Sequence, residues 1–108
     1  MTFAYPSLAA ILTTAALPAA ADLAYEVINN SNLTLMEFYA SPVSDNSWGE
    51  DLLTVRVLPS RQAETFIIEA GRQCDYALRF IFENGQELVD TADLCEGTSY
   101  TLERALTP

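Results

Sequence analysis

The stretch CDYALRFIFENGQELVDTADLC, from Cys74 to Cys95, constrains the fold more than any other part of the chain. It holds both cysteines, and Asn84-Gly85 lies midway between them. Asn-Gly between alternating apolar residues is the strongest short hairpin signal, because a two-residue type I′ turn needs positive φ at both central positions. Counting outward from such a turn, Phe82 faces Glu87, Phe80 faces Val89, Arg79 faces Asp90, Tyr76 faces Asp93 and Cys74 faces Cys95. The cysteines then form a non-hydrogen-bonded pair, where Cα atoms lie about 4.5 Å apart, within the range a disulfide tolerates. Closing that loop stabilises the fold by roughly 3 kcal/mol in the chain-entropy description. A structural zinc site needs about four ligands, and without histidine only carboxylates are left to complete it. A redox pair usually has Cys-x-x-Cys spacing, which is absent. The spacing therefore predicts a structural disulfide Cys74–Cys95. It also predicts a surface cross-strand ion pair between Arg79 and Asp90. Cys74, Tyr76, Leu78, Phe80 and Phe82 share the face expected to line the core.

The rest of the chain is made of short segments rich in β-branched and aromatic residues, separated by turn signals. Leu23 to Ile28 alternates, with Tyr25 and Val27 on one side. Asn29 to Asn32 is a turn cluster. Leu33 to Ala40 follows as a strand with two largely apolar faces, Leu33, Leu35 and Tyr39 against Met36 and Phe38, as in a central strand. Ser41 to Leu53 is the longest irregular stretch, broken by Pro42 and Gly49. Within it Ser47 and Glu50 form a capping box that predicts one helical turn over Trp48 to Leu53. Thr54 to Leu58, Ala63 to Glu69 and Ser99 to Arg104 complete the set. The expected fold is all-β: a small antiparallel β-sandwich of six to seven strands with a disulfide-linked hairpin.

The 108-residue chain opens with a segment that does not match this pattern. Residues 1–21 carry no charge, are dominated by Ala and Leu from Leu8 onward, and end in Ala19-Ala20-Ala21, an A-x-A cleavage site. They are expected to be a cleaved signal peptide, leaving residues 22–108 as a single domain. Two cysteines suit an oxidising compartment, so a periplasmic or secreted location is expected. All 15 acidic residues and all 5 basic ones, every one an arginine, follow Ala21 and give a net charge of −10. That surface repels phosphate backbones and argues against nucleic acid as a partner. No transmembrane segment is expected after cleavage, and a monomer is expected.

Catalytic chemistry has little to work with. The chain has no histidine and no lysine, which removes the commonest general bases, Schiff-base lysines and imidazole ligands. No cofactor, catalytic residue or resident metal is expected. Asp45, Glu50 and Asp51 cluster around Trp48 in the long loop. They are a candidate hard-cation site or an acid–aromatic sugar platform. The competing reading is a solvated loop anchored by a buried tryptophan. Asn29 and Asn32 each open an Asn-x-Ser/Thr sequon, a glycan acceptor in a eukaryotic secreted protein and a turn residue in a bacterial one.

Asn29-Asn30, Tyr39-x-Ser41-Pro42, Trp48-Gly49-x-Asp51-x-Leu53, Cys74-x-Tyr76 and Asp93-Leu94-Cys95 together resemble a family of small exported bacterial proteins of unknown function. The resemblance covers nearly all of residues 22–108 and implies a signal peptide followed by one β-domain. Ser60-Arg61 stands where the pattern has a Gly, and Ala77 where it has an acid. Similar sequences sometimes carry the automatic label argininosuccinate lyase. That enzyme is a large helical tetramer with active sites built from several subunits, and a small strand-rich chain without His or Lys does not supply its chemistry. The expectation is an exported non-catalytic β-domain that binds an unknown protein or envelope component. The alternatives are a calcium- or glycan-binding module using the acidic Trp48 loop, and a small hydrolase using paired carboxylates.

Overall fold

The computed structural model describes residues 22–69 and 73–103. The proposed signal peptide at 1–21 lies outside them. Six strands form: β1 Leu23–Asn29, β2 Leu35–Pro42, β3 Gln62–Ile68, β4 Asp75–Phe82, β5 Glu87–Asp93 and β6 Ser99–Leu102. They make two three-stranded sheets, ordered β3-β1-β6 and β2-β4-β5. Pairing is antiparallel except for β6, which runs parallel to β1 with Glu26 beside Ser99 and Asn29 beside Leu102. The described residues form no helix, and none is long and apolar enough to cross a membrane.

Strand alternation sorts the core. Tyr25 and Val27 of β1, Phe66 and Ile68 of β3, and Tyr76, Leu78, Phe80 and Phe82 of β4 are all buried between the sheets. Four rings span the gap. Phe66 of the first sheet meets Phe38 of the second edge-on at 5.0 Å. Phe38 stacks on Phe80 at 5.0 Å, and Phe80 stacks on Tyr100, back on the first sheet, at 5.1 Å. Each such pair adds about 0.5–1.5 kcal/mol beyond area burial. The Tyr100 hydroxyl then donates to Asp90 Oδ2 at 2.6 Å, tying edge strand β6 to edge strand β5.

Strand β2 differs from its sequence expectation. A bulge between Leu35 and Glu37 pushes Met36 out, so Leu35 and Phe38 both reach the core instead of facing opposite ways. β2 is also an edge strand, not a central one. Its outer edge is covered by the following loop, where Leu52 donates to the Phe38 carbonyl at 2.7 Å. Farther on, Leu35 and Leu58 exchange both backbone hydrogen bonds at 2.9 Å. A covered edge offers no row of unpaired amides to a neighbouring chain. Thr54 to Leu58 is accordingly no strand beyond that one bridge, and Val55 is 95% exposed. The helical turn expected over Trp48 to Leu53 is a non-helical segment.

The hairpin forms one residue out of the expected register. Arg79 faces Val89, Phe80 faces Leu88 and Tyr76 faces Ala92. The cause is the turn. Phe82 donates to Gln86 at 2.9 Å and Gly85 donates to Phe82 at 2.8 Å, so the loop is the three residues Glu83, Asn84 and Gly85. Gly85 alone takes positive φ, at 87°. Asn84 instead uses its side-chain oxygen to accept the Gln86 N–H at 3.0 Å. This is the three-residue loop with a left-handed third position, not the two-residue type I′ turn. Glu83 is held by Thr34, donating to its carbonyl at 2.9 Å and accepting its N–H on the carboxylate, also at 2.9 Å.

The disulfide survives the slip. Leu94 takes the place opposite Cys74, donating to its carbonyl at 2.8 Å. Asp93 then caps a turn by accepting the N–H groups of Cys95 and Glu96. That turn swings Cys95 back, and the bond closes with Cα atoms 5.2 Å apart.

A second knot fixes the first connection. The Asn29 side chain is fully buried. Its Nδ2 donates to the carbonyls of Leu33 and Leu58 at 2.9 Å each, and its Oδ1 accepts from the Ser31 N–H and hydroxyl. With both amide hydrogens engaged in the core, Asn29 is no glycan acceptor in the folded chain. Asn32 is exposed.

Candidate functional site

The second sheet turns one face outward, and Arg79 at the centre of β4 organises it. Alternation sends Arg79 away from the core between Leu78 and Phe80, and the register sets it beside Tyr39 on β2 and Val89 on β5. Its guanidinium stands 5.3 Å from the Tyr39 ring centroid and 5.8 Å from that of Trp48. Such contacts contribute about 0.5–1 kcal/mol at exposed sites. Its Nε is ion-paired with Glu87. The expected pair with Asp90 does not form, because the one-residue slip turns Asp90 to the other face, where it accepts from Tyr100. Tyr39 donates to Glu37, and this bond, followed by burial, raises its pKa above the ordinary 10.0.

Trp48 is therefore neither buried in the core nor free. It is half-buried, held against the outer face by Arg79, and it forms a wall shared by two concavities. One, of about 180 Å³, is lined by Ser41, Ala77 and the loop residues Asp45 and Asn46. The other, of about 400 Å³, has an apolar lining of Ala40, Leu52, Ile68 and Tyr76 with Glu50 at its side.

The loop's acids are not gathered into one group. Asp45 lines the smaller hollow and Glu50 the larger. Asp51 is committed to the backbone: its Oδ1 accepts from Phe38 N at 3.0 Å and Leu53 N at 2.9 Å. Among the described residues, the three potential ligand side chains whose donor atoms converge are Cys74, Asp93 and Cys95. The two sulfurs there are bonded to each other, and Asp93 is occupied by backbone N–H groups. Sequence reasoning missed Tyr39 and Arg79 as neighbours of Trp48. Their outward positions are visible in strand alternation, but the register that brings them together is not.

Comparison with protein-family models, curated proteins and solved structures found no match. The functional reading accordingly rests on the residues themselves.

Proposed function

We propose that this chain is an exported, non-catalytic binding domain of the periplasm or extracellular space, with the outer face of the β2-β4-β5 sheet as its recognition surface. One observation carries the reading. The single tryptophan of the chain is kept out of the core and braced at the surface by Arg79, beside two concavities. Burying an indole among the core rings would gain more from solvent transfer. A half-exposed, braced aromatic is the kind of group that anchors recognition. Export is supported by the sequence of residues 1–21 and by the disulfide. The non-catalytic assignment is supported by the absence of His and Lys from the sequence.

The test is capture from envelope extract by immobilised protein. Trp48→Ala and Arg79→Ala should each lose the captured component while staying folded, with stability lowered by no more than about 2 kcal/mol from the lost ring and ion-pair contacts. Unfolding of Trp48→Ala would make Trp48 a structural residue and remove the reading.

A further inference from the structure

Resting on that reading, we infer that the smaller hollow beside Trp48 is a subsite for one uncharged sugar ring, such as a hexose or N-acetylhexosamine unit of a glycan. The hollow is built between β2, the start of β4 and the loop after β2. Ala77 contributes a small side chain to its lining, and Trp48, Pro42 and Val43 contribute apolar surface. At about 180 Å³ it is smaller than the roughly 300–1,000 Å³ clefts that engulf a drug-sized molecule. It has room for one ring, with its mouth open for the remainder of a chain to run on across the surface.

The loop that shapes it is tied down before any ligand arrives. Ser41 donates its hydroxyl to the Ser47 carbonyl at 2.8 Å. Asp45 N–H donates to Pro42 at 2.9 Å and Val43 N–H donates to Asp75 at 3.1 Å. Ser44 hydroxyl donates to Gln73 Oε1 at 3.1 Å. A preformed wall lowers the ordering cost of binding.

Two side chains on that wall remain available. Asp45 and Asn46 are exposed, and among the described residues neither side chain makes a hydrogen bond. Asp45 offers acceptors only, while Asn46 offers both donors and an acceptor. An adjacent pair of sugar hydroxyls presents the complementary set, and the C–H face of the ring suits the indole.

Charge narrows the class. A net charge of −10 and Asp45 in the lining disfavour uronic acids and phosphorylated sugars. The nearby guanidinium of Arg79 is held by Glu87. A hard cation such as calcium takes 6–8 oxygen ligands, and this hollow presents a single carboxylate.

The experiment uses the disulfide-bonded protein and the fluorescence of its one tryptophan, titrated with maltotriose, with the N-acetylglucosamine trimer and with trigalacturonate, and extended to an array of neutral and acidic glycans. A saturable emission change is expected with a neutral glycan and none with trigalacturonate. The Asp45→Ala/Asn46→Ala variant should keep its circular dichroism and melting temperature and bind roughly tenfold more weakly, the loss of one or two polar contacts. Silence from every neutral glycan, saturation by acidic glycans alone, or undiminished binding by the double variant would overturn the inference. A blank array with Trp48-dependent capture intact removes the sugar and leaves the binding face. Glycan binding that survives Trp48→Ala removes that face as described.

Discussion

Asp51 holds Phe38: one carboxylate oxygen accepts the Phe38 N–H at 3.0 Å and, on its own side of the contact, the Leu53 N–H at 2.9 Å. This fastens the long loop along the outer edge of β2. Hydrogen bonds to a charged group contribute about 1.5–3 kcal/mol. Asp51→Ala should therefore lower unfolding stability by about 2 kcal/mol in urea titration, and Asp51→Asn, which keeps an acceptor oxygen, should recover part of the loss.

Arg61 occupies the left-handed region at φ 72°, at the turn where its N–H donates to the Asn29 carbonyl at 2.7 Å. A side chain there costs roughly 1–2 kcal/mol relative to glycine. Its exposed guanidinium contacts with Asn30 return little of that. Arg61→Gly should raise stability by about 1 kcal/mol, seen as a higher melting temperature.

Removing the Cys74–Cys95 bond, by reduction or by double replacement with serine, should cost roughly 3 kcal/mol. Denaturant midpoints with and without reductant measure it. An unreduced mass equal to that of the dithiol form would contradict the bond itself.

Arg79 and Glu87 should couple in a double-mutant cycle by a few tenths to about 1 kcal/mol, the range for exposed pairs. Arg79 and Asp90 should show no coupling, since the register separates them onto opposite faces. Arg79→Ala should also shift Trp48 emission to longer wavelength as the indole loses its cover.

Tyr100 carries the most perturbed phenol. Burial raises its pKa first, and its hydrogen bond to Asp90 and that carboxylate's charge raise it further. Tyr25 and Tyr76 are raised as well, mainly by burial. A folded pKa above the unfolded value of about 10 means the unfolded chain gives up its proton first. The tyrosine contribution is thus fully present below about pH 10 and falls as pH rises beyond it. Tyr100→Phe should flatten that alkaline fall, as followed by melting temperature from pH 8 to 12.

What was legible in the sequence was whatever depends on alternation alone. Tyr76, Leu78, Phe80 and Phe82 share the core face. Cys74 does pair with Cys95, but through the turn that Asp93 caps and not through the facing register that predicted it. The register was not legible, because it depends on how Asn84 spends its side chain and on Glu83 reaching Thr34 across the fold. Neither choice has a local signal. The bulge at Met36 is likewise dictated by two core positions, Leu35 and Phe38, that strict alternation places on opposite faces. The candidate site depends on the same register. The sequence marks out Trp48, but counting from the turn pairs its brace Arg79 with Asp90, and nearness in the chain groups Asp51 with acids it does not join.

The parallel pairing of β1 with β6 imposes an order of events. β1 has the third strand on one side and the last on the other, so its ladder is complete only after Leu102 is in place. The leading strand therefore keeps one open seam until the trailing strand arrives, so the first sheet closes last however early the β2-β4-β5 sheet forms.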